Sequence, residues 1–391
     1  MRKTRIQVLV GTLAALAAVP PAAGQARVSL AKPDAESAES FTQITSVREL
    51  PSGKVLLSDM RDKVVQFLDL TSGTMTKVGR EGQGPGEYGL PRGLYALPTG
   101  ETLLYDMAGQ RLMTITPDGK PGSFVDMPRP PANGQGGPMM MGMRDIRGVD
   151  SQGRLYFQGS PFGPNGASMD TIPVMRWDRV KPTMDTVAYF KGPQAQASGS
   201  AGRMEVRIGG GKIWTPQEAW DVSGDGRVAR VMPSPYRVVW YAAGKPTAGP
   251  VQPYTPIKVT QAEKDLFMES RRRNPGMTIS IGGGGGNRTM STAGPPPNQP
   301  PPEFEETMPP FVGGPGGAAV IASPDGEVWV ARTRPASDKI PTYDVFDKTG
   351  VLVRKVALNP NSRVVGFGKG TVYVVRMDED DLQYLQRYKK P

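Results

Sequence analysis

The sequence predicts an all-β fold, a six-bladed β-propeller of four-stranded antiparallel blades whose ring is closed by an N-terminal strand. Three observations lead there. Six glycine-closed turns, each running into an apolar strand, recur along the chain. The shorter spacings between them match one four-stranded blade, and a second echo of strand and turn follows most of them.

The six segments are LPSGKVLLSD (50–59), LPTGETLLYD (97–106), DSQGRLYFQG (150–159), SGDGRVARVM (223–232), SPDGEVWVAR (323–332) and FGKGTVYVVR (367–376). In a tight hairpin glycine takes φ > 0 at no steric cost, and the apolar run enters a buried strand. Gly53, Gly100, Gly153, Gly226, Gly326 and Gly370 are separated by 47, 53, 73, 100 and 44 residues. A unit of roughly 45 residues is one blade, so the longer spacings require insertions. The echo comprises FLDLTSG (67–73), TITPDG (114–119), VVWYAAG (238–244) and VFDKTG (345–350), read as a third strand and the turn into a fourth. Apolar residues on both faces of these strands suit sheets sandwiched between neighbours. The last unit ends one strand short at Pro391, and Arg27 to Ala31, with Val28 and Leu30 alternating, is expected to supply that strand and remove an exposed edge.

Ahead of that strand, residues 1–26 carry a basic start (Arg2, Lys3, Arg5), an apolar run from Ile6 to Val19 and small residues around Gly24 and Ala26. This is the pattern of a cleaved secretory signal. A periplasmic or secreted protein is expected, with 27–391 forming the propeller and no later stretch long and apolar enough to span a bilayer. The chain has neither cysteine nor histidine. Disulfides, thiol nucleophiles, Ser-His-Asp hydrolysis and histidine-ligated metals are thereby excluded. The net charge is +10, or +7 without the three basic residues of the signal. Because the basic residues are scattered, a nucleic-acid groove is not expected.

Three insertions interrupt the repeats: 128–143 (with Met139, Met140, Met141 and Met143), 192–212, and 253–312. In the last, Thr260 and Glu263 form a capping box ahead of Leu266 and Phe267, which predicts a short helix over 261–272. Beyond it, 275–310 holds five glycines (282–286) and a proline run (295–302), too poor in apolar residues to fold. The methionine run is read as low-complexity filler. Trp177, Trp220, Trp240 and Trp329 are read as blade packing, whereas Trp214 lies beside an insertion. If each blade runs outward from the axis, all three insertions connect an outermost strand to the next innermost strand and share one end of the ring. The loop GREGQGPGEY (79–88) does the same.

These glycine-marked hairpins, with Gly82, Gly84, Pro85, Gly86, Glu87 and Tyr88, then PYRVVWY (235–241) and SPDGEVWV (323–330), resemble the exported bacterial six-bladed propellers related to NHL-repeat and TolB-like proteins. The resemblance covers about residues 27–391 and implies the fold but no activity. Calcium-dependent lactonases of six-bladed type hold a cation at the channel mouth with oxygen ligands. By that likeness Glu87, Asp145 and Glu218, near the starts of inner strands two, three and four, are candidate calcium ligands.

The 79–88 loop is not a nucleotide loop, since no GK[ST] follows and no helix begins at Tyr88. Two readings stay open. It is a shaped linker with Glu87 capping backbone amides, or it offers Arg80, Glu81, Glu87 and Arg92 as ligand contacts at the channel mouth. Asp59 and Asp106, at one repeat position, are read as turn-stabilising rather than catalytic. No catalytic residue is assigned. The expected function is a non-catalytic module that binds a protein or small molecule through its insertion-bearing end and channel mouth. The alternatives are metal-dependent lactone or ester hydrolysis and a structural part of an envelope complex.

Overall fold

The computed structural model describes residues 26–127, 146–161, 167–192, 195–200, 203–208, 211–273, 278–281, 288–291, 301–312 and 319–391. Six sheets, each built on four antiparallel strands, make the six blades; five of them take four consecutive strands. In the first, Ile44–Glu49 is innermost, followed outward by Val55–Asp59, Val64–Leu68 and Met75–Lys77. The second repeats this with Pro91–Ala96, Thr102–Asp106, Arg111–Ile115 and Pro121–Asp126. The innermost strands of the other four are Ile146–Val149, Ala219–Val222, Val320–Ala322 and Ser362–Phe367.

The period-2 geometry of a strand explains how the blades cohere. Every residue of Val55–Asp59 is buried, because the strand has a neighbouring blade on each face. Val55 and Leu57 pack with Tyr373, Val375 and Leu385 of the sixth blade. The intervening Leu56 packs with Leu94, Leu104 and Met113 of the second. The glycines that marked the repeats all take φ > 0, between 73° and 89°, at the turn from the first to the second strand of each blade. Gly350, in the echo, is constrained twice: φ is +81°, and a Cβ there would lie 2.9 Å from Gly249 Cα and 3.0 Å from the Val238 carbonyl.

The ring closes differently from the expectation. Ala35–Glu36, not Arg27 to Ala31, completes the sixth blade as its outermost strand, antiparallel to Gln383–Lys389. The earlier strand, Ala26–Ser29, lies parallel to Leu352–Ala357 as a fifth strand of the fifth blade. Polar groups do the closing: Gln386 Nε2 donates to Glu36 at 2.7 Å, Arg376 pairs with Glu36 at 2.5 Å, and Leu385 N donates to Ser37 Oγ at 3.0 Å. The apolar alternation that pointed to residues 27–31 is explained by Leu30, which is buried with Val356 and Tyr388 between the fifth and sixth blades.

The turns sort onto two ends. Glycine turns link first to second and third to fourth strands at one end. Second-to-third turns and the blade-to-blade crossings lie at the other, as do the described parts of the largest insertion. In the largest insertion the helix, α1, spans Gln261–Arg273. Its start is the expected box, with Glu263 accepting from Thr260 N at 2.9 Å, and Arg271, Arg272 and Arg273 end it where cations favour the helix dipole. The 275–310 segment departs from expectation in two places, the first being an antiparallel pairing of Thr278–Ile281 with Arg288–Ser291 and the second its last ten residues. Thr307–Met308 pairs with Ile257–Lys258, and Met308 is buried. The first 25 residues, Met139 to Met143 and most of 275–300 lie outside the described residues. Among those described, no helix is long and apolar enough to cross a membrane.

Candidate functional site

The 79–88 loop runs from the outermost strand of the first blade to the innermost of the second. It is held by its own residues. Arg80–Glu81 and Glu87–Tyr88 form a two-residue parallel ladder. Tyr88 is buried, its hydroxyl donating to the Val78 carbonyl at 3.0 Å and accepting from Val65 N at 2.9 Å; burial raises its pKa. Glu87 Oε2 accepts from Gly84 N at 2.8 Å, and Oε1 accepts from Arg80 Nε at 2.7 Å. The amide first and the guanidinium second hold the Glu87 pKa below its ordinary value. Glycine at 79 is required because φ is +65° and a Cβ would meet the Gly86 carbonyl at 2.5 Å. The linker reading, with Glu87 capping an amide, therefore describes this geometry.

The four candidate contacts do not converge. Arg80 and Glu87 line a shallow, open depression with Pro85, Gly86, Pro121 and Gly122, the last two starting the outermost strand of the second blade. Glu81 is exposed and pairs with Lys63. Arg92 alone is on an innermost strand, with Nη1 3.5 Å from Met107 Sδ. The loop thus lies against the outermost strand of the second blade, away from the innermost strand that carries Arg92.

Calcium ligation at the expected residues does not fit. Glu218 is buried against Arg230, with oxygens 2.6 and 2.7 Å from two guanidinium nitrogens and a third bond from Lys191 N at 2.5 Å. Glu87 is on Arg80, and Asp145 lies outside the described residues. A cation would have to displace both arginines. Among the described residues no three acidic side chains group as a metal would need. Asp59 and Asp106 do one job twice. Asp59 Oδ2 accepts from Thr42 N and Gln43 N at 2.7 and 3.0 Å, and Asp106 Oδ1 accepts from Gly89 N and Leu90 N at 3.1 and 2.9 Å. Each carboxylate ties the entry of an innermost strand to the end of its neighbour.

What sequence reasoning missed is a cap built from two insertions. Trp214, Phe267 and Phe304 form a three-ring cluster with centroid distances of 5.7, 5.3 and 5.7 Å. Trp214 belongs to the third crossing, Phe267 to α1 and Phe304 to the proline-flanked segment. The backbone reinforces it: Ile213 N donates to the Glu303 carbonyl at 2.7 Å and Glu305 N to the Ile213 carbonyl at 3.0 Å. The cap is riveted to the fifth blade, where Ala336 N donates to Glu263 Oε1 at 3.0 Å and Thr333 N to the Pro310 carbonyl at 3.1 Å. Its far end reaches the sixth, Arg273 lying 3.9 Å from Asp381. The signal available in the sequence was Trp214 beside an insertion; its partners, 53 and 90 residues away, share no local motif with it.

No family model matches the chain, and no curated protein matches it. Solved structures do. Regucalcin, a calcium-binding protein from Agrobacterium tumefaciens, is 10% identical over 94% of this chain and 97% of its own, with a TM-score of 0.42. A gluconolactonase from Xanthomonas campestris is 10% identical over 90% and 91%, at 0.41. An exported protein from Bacteroides fragilis is 11% identical over 93% and 100%, at 0.46. Likeness this distant transfers no ligand, reaction or site residue to the chain.

Proposed function

We propose that the protein is an exported binding module that takes a protein or small-molecule ligand on the insertion-bearing end of its ring, without catalysing a reaction on it. One observation carries this reading: insertions far apart in sequence assemble at that end into a cap with its own aromatic cluster and its own ties to the fifth blade. A ring needs no cap to stand, since the glycine-turn end does without one. Loops that a rigid scaffold holds on one face are where binding residues concentrate.

The test is a thermal-shift screen of small molecules and envelope extracts against the protein and its Trp214→Ala variant. Ligands are expected to stabilise the native protein by mass action and to lose at least tenfold in affinity in the variant. Ligands that bind both forms equally would place recognition elsewhere. Turnover of a lactone or ester above its spontaneous rate, abolished by substitutions at this end, would replace binding with catalysis.

A further inference from the structure

The blades guard their outer edges unequally. In the first the outermost strand, Met75–Lys77, is three residues long; in the second Pro121–Asp126 opens on a proline and abuts the 79–88 loop; in the fourth Lys245–Ala248 has four residues and contains Pro246. The short strands Ala26–Ser29 and Ala35–Glu36 cover the fifth and sixth. Short edges, prolines and covering strands keep a sheet from adding foreign strands. The third blade has none of these three. Its outermost strand, Thr183–Phe190, is eight residues long and free of proline, and among the described residues it pairs only with Ile172–Asp178. The Pro173 carbonyl accepts from Gly159 N at 2.8 Å, so the Pro173 backbone faces the second strand of the blade. Backbone direction alternates along a strand. Ile172, Val174 and Arg176 therefore face Thr183–Phe190 and meet Phe190, Ala188 and Asp185, which leaves the N–H and C=O groups of Met184, Thr186 and Tyr189 pointing outward. Met184 is 41% exposed and Tyr189 52%.

We propose that this edge takes an extended segment of another protein as a fifth strand, one with acidic side chains at both of its ends. The fold already makes such an addition on itself, where Ala26–Ser29 joins the fifth blade as a parallel fifth strand. The bulge at Val187 is no obstacle, because Leu352–Ala357 has the same irregularity at Val353 and is paired by Ala26–Ser29 from Arg354 onward. Charge selects the occupant. Lys181 and Lys191, both exposed, flank the strand at equal distance from Thr186, and Asp185, the acidic group between them, is bound to Arg176 at 2.5 Å. A second copy laid antiparallel about Thr186 would bring Lys181 of each chain beside Lys191 of the other, like charge against like at both ends. An acidic-ended strand meets opposite charge at the same two places. In strand addition the main-chain bonds supply affinity and side chains supply selectivity. The site is on the perimeter of the ring, separate from the insertion-bearing end, and stands independently of the binding role proposed for that end.

The experiment follows backbone amide exchange in the protein, alone and with a synthetic peptide of alternating threonine and valine that ends in glutamates, the control peptide ending in lysines. In the free protein the Asp185 and Phe190 amides are expected to exchange slowly and those of Met184, Thr186 and Tyr189 fast. The glutamate-ended peptide should bind saturably and slow the outward amides at least tenfold, and the lysine-ended one should bind at least tenfold more weakly. Thr186→Pro, which removes an outward donor that the ladder does not use, should abolish the protection. The double variant Lys181→Glu/Lys191→Glu, altered only at exposed positions, should reverse the preference between the peptides and keeps the test decisive if the proline disturbs the blade. Outward amides already protected in the free protein would mean that the edge is covered and would overturn the inference. Equal binding of the two peptides, or binding of neither, would overturn it as well. A dimer that Thr186→Pro dissociates in sedimentation would assign the edge to a second copy instead of a partner.

Discussion

The two ends of the ring are built on opposite terms. At the glycine-turn end the strands are joined by short turns, and sequence and conformation are locked together: Gly350 cannot carry a side chain without striking the neighbouring blade. At the insertion end long segments cross between blades and are tied down by side chains from distant parts of the chain, as Trp214 is by Phe267 and Phe304. The first end is specified locally and serves the ring. The second is specified by tertiary contact, so it can be altered without dismantling the ring, which is what a recognition surface requires.

That contrast can be tested by substitutions that should separate the two ends. The largest loss is expected inside the ring, where Trp329→Ala empties a fully buried site and should cost about 3–5 kcal/mol of stability in chemical denaturation. Glu218→Ala should cost less, about 2 kcal/mol, because the half-buried Arg230 would lose its carboxylate and keep only Tyr241. At the glycine-turn end, Gly350→Ala should cost more than Gly370→Ala. Both residues have φ > 0, worth roughly 1–2 kcal/mol each, but only position 350 also meets backbone, whereas 370 faces open space. Equal losses would mean that conformation alone, without the close approach, governs these turns. Trp214→Ala should move the unfolding midpoint least, while speeding amide exchange in α1 selectively. A large global loss would show that the cap is part of the ring's stability.

The cap should also respond to acid before the ring does. Its anchor, Glu263, has a pKa held at about 2 by the Thr260 side chain and by the Ala336 and Thr260 amides, against an ordinary 4.5. A folded-state pKa below the unfolded one adds stability that is complete above about pH 4.5 and disappears as the pH falls towards 2. Exchange of α1 amides should therefore accelerate over that window. In Glu263→Gln the acid dependence should vanish.

Sequence reasoning read the locally specified end well and the other poorly. The glycine turns, the strands that follow them and the start of α1 at Thr260 were legible because each depends on residues within a few positions. The closing strand was not. Ala35–Glu36 is two residues long and has no apolar alternation, so its place depends wholly on Gln383–Lys389, while the segment that did alternate serves the next blade. Of the candidate contacts, Arg80 and Glu87 lie in a crossing as expected, and their bonds to each other and to Gly84 match the linker alternative, whose side-by-side placement with Pro121 composition does not reveal. Glu218 read as a free oxygen ligand because its arginine, 12 residues on, answers to no motif.

The stitching of the N-terminus has a consequence for timing. Its two strands hold two different blades, and Ser37 bonds to a residue 348 positions later. Residues 26–36 therefore find their places only once residues 352–389 have folded. The fifth blade's edge strand needs Leu352–Ala357 and the sixth blade's needs Gln383–Lys389, so the ring stays open until both have folded. Contacts this far apart in sequence make ring closure a late, non-local step of folding.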